Sequence, residues 1–145
     1  MKRMTLALVL FAVSFCANAF TGKPDNAAIP ASFYRTFNNA QQVQSQLVNE
    51  MIRVSFIADG HASFAYYDSE GQLVVSSTQL REQELPVLLR EDLVIRFNQW
   101  FVADVYQCKK NGATDYYVVL QQDGRELVLK ASPKGWKKFS EKAIR

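Results

Sequence analysis

Two Asp-Gly dipeptides, Asp59-Gly60 and Asp123-Gly124, constrain the fold of this chain more than any other feature. Each lies between runs of alternating apolar and polar residues, and the second follows the first by 64 positions. Asp-Gly favours a two-residue type I′ turn, because both central residues of that turn need a positive φ. The sequence therefore predicts two β-hairpins, with paired strands at 51–58 and 61–67 and at 115–122 and 125–131.

The likeness between the two halves extends beyond the turns. Gly71 and Gly135 are separated by the same 64 positions, and residues 52–71 align with the second half without a gap. Further strands are expected at 40–47, after Gly71, at 100–109 and at the C-terminus, where the polar and apolar residues also alternate. These features indicate an internal repeat.

Each half also begins with a predicted helix. Pro30 and Pro86 suit first-turn positions, and apolar residues on one face follow each of them. The expected inward residues are Phe33, Tyr34 and Phe37 in the first helix, and Leu85, Leu88, Leu89, Leu93 and Phe97 in the second. We therefore expect an α+β fold, made of two tandem repeats of a helix plus an antiparallel hairpin, which form a sheet with helices on one face.

The N-terminal segment has the pattern of a secretory signal peptide. Lys2 and Arg3 precede an apolar core, and small residues at Ala17 and Ala19 predict cleavage after Ala19. Cleavage would discard Cys16, so Cys108 could form no intramolecular disulfide. We divide the chain into a signal peptide (1–19), a linker (20–29) and one domain (30–145) with repeats at 30–79 and 80–145.

The expected location of the mature protein is the periplasm or the extracellular space. The 126 residues that remain after residue 19 suit one domain, and no later segment is apolar enough to span a membrane. Loss of Lys2 and Arg3 lowers the formal charge from +3 to +1, with 15 basic and 14 acidic residues. The composition therefore gives no reason to expect a nucleic-acid partner.

No catalytic set, metal site or cofactor site is expected. His61 is the single histidine and directly follows a turn, where a solvated position is expected, whereas a general base needs an oriented partner and a pocket. Cys108 precedes two lysines, which could lower its pKa, but burial as a small apolar residue is the favoured interpretation. Asp59, Asp68 and Asp123 lie in predicted turns, where aspartate is common, so they need no catalytic or metal-binding role.

A binding surface is expected on the helix-free face of the sheet. Directly paired residues of a hairpin share a face, so the more apolar side should meet the helices. The opposite side has more aromatic surface than solvation requires, and such residues are typical interface anchors. The candidate binding residues are Phe64, Tyr66, Tyr117, Val128 and Lys130. An open alternative is that the two halves, or two copies of the chain in a homodimer, bury this face.

Several motifs resemble those of the small exported PepSY-like, β-lactamase-inhibitor-like proteins of Bacteroidota. The motifs are the strand start at Ala40-Gln41, the run from Phe64 to Gly71, the helix start Leu85-Pro86, the strand from Tyr116 to Leu120, and the C-terminal Gly135-Trp136. The resemblance covers nearly all of the predicted mature chain. It implies a non-enzymatic protein of the envelope or the exterior, and it carries over no catalytic residues.

We therefore predict that the chain is a secreted or periplasmic binding module whose expected partner is a protein. Inhibition of that partner is one form that the binding could take. One alternative is an accessory enzyme or weak hydrolase that uses Glu82, Glu84 and Asp104; it would need two of these carboxylates in a deep pocket. Another is a glycan or anionic-surface binder that uses the basic C-terminal stretch 134–145. For that stretch, an amphipathic final strand with Trp136 turned inward is the favoured structure.

Overall fold

The computed structural model describes residues 28–144, which form two compact units that divide between Ser77 and Thr78. The first unit contains helix α1 (Ser32–Thr36), strands β1 (Gln41–Val48), β2 (Met51–Ala58) and β3 (His61–Tyr67), and most of β4 (Leu73–Leu80). The second contains the end of β4, a 3₁₀ turn (Glu82–Glu84), helix α2 (Val87–Arg96), and strands β5 (Phe101–Lys110), β6 (Ala113–Gln122), β7 (Arg125–Ser132) and β8 (Gly135–Ala143).

The described residues are mostly antiparallel sheet. Their eight strands are ordered as in the chain, β1 to β8. The α+β class is confirmed, with strands outweighing the two α-helices. The tandem helix-plus-hairpin repeat and the proposed domain bounds stay predictions, and the predicted signal peptide lies outside the described residues. Within residues 28–144, no helix is long and apolar enough to cross a membrane.

Both predicted hairpins have the predicted register. Val54 pairs with Ala65 across β2 and β3, and Val118 pairs with Leu129 across β6 and β7. At the first turn φ is 53° for Asp59 and 79° for Gly60, as a type I′ turn requires.

One hairpin turn was not predicted. Asn49 and Glu50 join β1 to β2 with φ values of 48° and 65°. A glutamate at positive φ is uncommon, so its identity gave no turn signal.

A helix covers the predicted apolar sheet face in each unit. In the first, Phe33 of α1 clusters with Val54, Phe56, Ala65 and Tyr67. In the second, Leu89 and Leu93 of α2 cluster with Val118, Leu120, Leu127, Leu129 and Trp136. The predicted placement of helices on this face is confirmed within each unit.

Candidate functional site

The structure buries four of the five predicted binding residues. Phe64 is 4% exposed, Tyr66 3%, Tyr117 1% and Val128 5%, whereas Lys130 is partly exposed. The burial of these four side chains disagrees with an exposed binding face, which is one of the two alternatives that the sequence left open. Their role in binding stays a prediction.

Packing inside each unit accounts for part of this burial. The Arg53 guanidinium lies 5.6 Å from the centre of the Phe64 ring. In the second unit, the Tyr117 ring meets the Phe139 ring edge-on, with 5.4 Å between centroids, and the Lys130 ammonium lies 5.7 Å from the Tyr117 ring. Burial raises the pKa of Tyr117 well above its ordinary value. The aromatic surplus that suggested an interface is used in packing.

Exposed apolar surface is found instead on the outward side of α2. Val87 is 57% exposed, Leu88 75%, Val94 64% and Ile95 76%. Their spacing of i, i+1, i+7 and i+8 places them along one side of the helix. Apolar side chains exposed together usually mark a contact surface. We call these four residues, with the exposed Glu91 between them, the α2 stripe.

The inward side of α2 is also apolar, which is why sequence reasoning missed the stripe. Leu89 and Leu93 are buried, and so is Leu85, which lies just before the helix at the same spacing of four residues. Leu88 was expected on the same face, but it lies about 100° around the helix from Leu89 and points outward. A helix that is apolar on two sides is unusual at a protein surface. The recurrence of apolar pairs seven residues apart was the available sequence signal.

Hydrogen bonds from β8 hold α2 in place. The indole Nε1 of Trp136 donates to the carbonyl oxygen of Leu89 at 2.8 Å, and the backbone N–H of Trp136 donates to Asp92 Oδ2 at 2.7 Å. Arg96 completes the group, because its Nη2 donates to the Trp136 carbonyl at 2.6 Å and its Nε donates to Asp92 Oδ1 at 2.6 Å. The position of the stripe therefore depends on this cluster.

Asp92 is the electrostatic centre of the cluster. Its hydrogen bond with Arg96 lowers the pKa of the Asp92 carboxyl, and the backbone N–H of Trp136 adds to the effect, although partial burial opposes both. The position of the Asp92 carboxylate also explains why the residue before Trp136 is a glycine. A Cβ at Gly135, where φ is 118°, would lie 2.6 Å from Asp92 Oδ2.

The α2 stripe contributes to two shallow grooves. One, of about 350 Å³, is lined by Val87, Arg90, Glu91, Val94 and Ile95. The other, of about 590 Å³, lies between α2 and the β7–β8 turn and includes Leu88, Ile95, Tyr116, Ala131 and Pro133 in its lining. Stripe residues thus line both grooves: Val87, Glu91, Val94 and Ile95 line the smaller one, and Leu88, Glu91 and Ile95 line the larger one.

The structure does not gather the candidate catalytic carboxylates in either groove. Burial raises the pKa of Asp104, whose Oδ1 accepts a hydrogen bond from Gln79 Nε2 at 2.8 Å. Glu84 accepts a hydrogen bond from the backbone N–H of Arg81 at 2.7 Å. Asp104, Glu82 and Glu84 are all absent from the linings of the two grooves beside α2.

The other two residues considered for a chemical role, Cys108 and His61, both lie in strands. Cys108 is buried, as expected, and His61 begins β3 in a partly buried position. Among residues 28–144, no group of three or more His, Cys, Asp or Glu side chains is placed to hold a metal ion.

The predicted C-terminal strand is confirmed as β8, and ion pairs engage two of its cations. Lys138 Nζ lies 2.7 Å from Glu141, and Lys142 Nζ lies 3.3 Å from Glu126. Trp136 is buried, as predicted for an inward residue. Since both cations already face carboxylates and the indole is covered, this strand presents fewer groups to an anionic surface than the sequence indicated.

Comparison of the structure with solved structures identifies proteins of the same fold. A BLIP-like protein from Bacteroides fragilis matches with a TM-score of 0.68 and 20% identity, over 88% of this chain and 92% of the other. The chain has a BLIP-like fold. A DUF2874 family protein from Bacteroides uniformis matches with a TM-score of 0.69 and 13% identity, over 84% of this chain and 90% of the other.

A third similar structure is that of a candidate periplasmic protein from Bacteroides eggerthii, with a TM-score of 0.70 and 12% identity, over 85% of this chain and 91% of the other. No protein-family model matches the chain, and no curated protein matches it. The resemblance to β-lactamase-inhibitor-like proteins of Bacteroidota is thus confirmed at the level of the fold, whereas the PepSY-like label stays a prediction.

Proposed function

We propose that this protein is an exported, non-enzymatic module that acts by binding a protein through the α2 stripe. The observation that carries the proposal is the 57–76% exposure of the four apolar stripe side chains on a helix that the Asp92–Trp136 cluster holds in place. A fixed apolar ridge can bind without the ordering cost of a flexible segment. An inhibitor-like role is one form that such binding can take.

Two further observations support export and a non-enzymatic role. The pattern of Lys2, Arg3 and Ala19 is that of a secretory signal, and one similar structure is described as a candidate periplasmic protein. The three candidate carboxylates, Glu82, Glu84 and Asp104, are absent from the linings of both grooves beside α2, so neither groove contains the residues that the hydrolase alternative would use. The fold alone does not fix a target, so the proposal rests on the surface.

Site-specific photo-crosslinking in cells tests the proposal. A photoreactive amino acid replaces Leu88 in one strain and Leu47, which is 59% exposed on β1 of the first unit, in the control strain. We expect irradiation to give discrete protein adducts of the envelope fraction from position 88 and not from position 47. Adducts of any mass count, including twice the mass of the chain. Absence of adducts at position 88, with the protein folded and exported, would overturn the proposal.

A further inference from the structure

We infer that the α2 stripe binds the same stripe on a second copy of the chain, in a twofold-symmetric, antiparallel pair of helices. The inference rests on the proposed function and names the partner. Its first basis is the order of residues along the stripe, which is the same in both directions: two apolar residues, Val87 and Leu88, then Glu91, then two apolar residues, Val94 and Ile95.

A twofold interface requires this kind of order. In an isologous contact the same patch faces itself, so a residue on one side of the axis meets the residue an equal distance beyond it. With the axis near Glu91, Val87 of one copy lies against Ile95 of the other, and Leu88 lies against Val94. Each exposed apolar side chain thereby meets another apolar side chain.

The charges at the centre of the stripe fit the same arrangement. With the axis near Glu91, the two Glu91 carboxylates approach each other, and Arg90 of each copy, adjacent to the midpoint, lies near Glu91 of the other copy and offsets their repulsion. Arg90 as a whole is partly exposed, so its guanidinium can donate hydrogen bonds to an approaching carboxylate of the other copy.

The shape of the surface also suits a second helix. The groove of about 590 Å³ runs beside the Leu88 and Ile95 edge of the stripe, and Tyr116 and Ala131 lie in its lining. Helices pack when the side-chain ridge of one enters a groove of the other. A ten-residue helix contributes less than the roughly 1,600 Å² of a standard interface, so we expect a dimer of micromolar affinity.

Sedimentation equilibrium of the purified mature chain, over a range of about 1 to 500 µM, tests the dimer. We expect a monomer–dimer equilibrium, and at least about a 100-fold weaker dimer for the Leu88→Asp/Ile95→Asp variant, because each aspartate would be buried in an apolar contact. Phe101→Asp is the matched control, since Phe101 is 69% exposed outside α2, and it should leave the dissociation constant unchanged. Circular dichroism checks the folding of each variant.

Charge reversal tests the antiparallel arrangement. Arg90→Glu and Glu91→Arg should each weaken self-association, because each removes the opposite charge from the centre of the pair and leaves four like charges there. Mixed in equal amounts, the two variants should form a heterodimer, since each then carries the charge that the other needs. A mixture that associates no better than either variant alone contradicts the antiparallel pairing.

The outcomes separate this inference from the proposed function. A chain that stays monomeric at every concentration, but gives adducts at position 88 with another protein in cells, overturns the dimer and leaves the binding module in place. A monomeric chain without such adducts overturns both. A dimer that the stripe variant and the Phe101→Asp control weaken equally overturns the assignment of the interface to α2.

Discussion

The indole N–H of Trp136 donates a 2.8 Å hydrogen bond to the backbone carbonyl of Leu89, 47 residues earlier in the chain. This bond joins the start of β8 to the first turn of α2, and it is buried. Because the carbonyl also lies in a helix whose inward leucines pack on the sheet, the bond fixes the helix against the strands of its own unit.

Replacement of this indole tests the contribution of the bond. Trp136→Phe removes the donor, leaves the Leu89 carbonyl without that partner and shrinks a side chain that is 3% exposed. We expect the free energy of unfolding to fall by about 2 to 4 kcal/mol in urea denaturation. Phe101→Leu, at an exposed position, is the control and should change it by less than about 0.5 kcal/mol. Equal effects would mean that Trp136 does not anchor α2.

Gly135→Ala should be more destabilising than Gly112→Ala. Both glycines have positive φ, but an added Cβ at Gly135 would lie 2.6 Å from Asp92 Oδ2, whereas an added Cβ at Gly112 meets no atom within 4 Å. Gly112→Ala thus measures backbone strain alone, about 1 to 2 kcal/mol. Thermal unfolding of both variants gives the comparison, and a Gly135→Ala variant as stable as Gly112→Ala would refute the close contact with Asp92.

The stability conferred by Asp92 should depend on pH. Its pKa is lowered in the folded protein, chiefly by the hydrogen bond from Arg96. A lowered carboxyl pKa stabilises the folded state above the unfolded value of about 3.9, and this contribution is lost as the pH falls through the folded value. Asp92→Asn should therefore destabilise the protein at pH 6 and have a smaller effect near pH 2.

Urea denaturation of the native chain and the Asp92→Asn variant across this pH range measures the difference. Asp115→Asn is the control, because Asp115 forms a more exposed ion pair with Lys130, 3.6 Å between charged atoms. A difference between the native chain and Asp92→Asn that stays constant with pH would exclude a stabilising ionised Asp92.

Tyr67→Phe should stabilise the protein. The Tyr67 side chain is fully buried, and its hydroxyl has no hydrogen-bond partner among the described residues. A buried polar group without a partner carries a desolvation penalty of about 1 to 3 kcal/mol, so its removal should raise the free energy of unfolding by about 1 kcal/mol. Burial also raises the pKa of this phenol, which agrees with an apolar surrounding.

Tyr116→Phe is the matched control for that variant. Gln107 Nε2 donates to the Tyr116 hydroxyl at 3.3 Å, so the same change there removes a hydrogen bond and should be neutral or destabilising. Chemical denaturation of both variants gives the sign of each effect. A destabilised Tyr67→Phe variant would show that the Tyr67 hydroxyl has a partner in solution.

The hairpins could be predicted because their signals are local. The positive φ of Asp59 and Gly60 is encoded by two adjacent residues, and the register follows from the turn. The same reasoning placed Val118 opposite Leu129 correctly. The Asn49-Glu50 turn escaped prediction because a glutamate at positive φ is held there by the pairing of β1 with β2 rather than by its own preference.

The candidate surfaces show where local reasoning ends. The aromatic residues Phe64 and Tyr117 lie on the predicted side of their strands, but both are buried. The alternation of residues along a strand predicts which side chains share a face of the sheet. It does not predict whether another part of the protein covers that face. Leu88 shows the opposite error. Its apolar side chain predicted a buried position, but the structure leaves it 75% exposed.

The sequence by itself determined the two Asp-Gly hairpins, with their registers, and the sheet face on which the helices pack, because these depend on neighbouring residues and on the twofold alternation of a strand. Only the tertiary structure decided which apolar faces are buried, and it alone brought Asp92, Arg96 and Trp136 together across 44 residues of chain. Burial and long-range hydrogen bonds depend on how separate elements pack, and no local pattern encodes that packing. The outward stripe on α2 became visible only when the other side of that helix was seen to be buried.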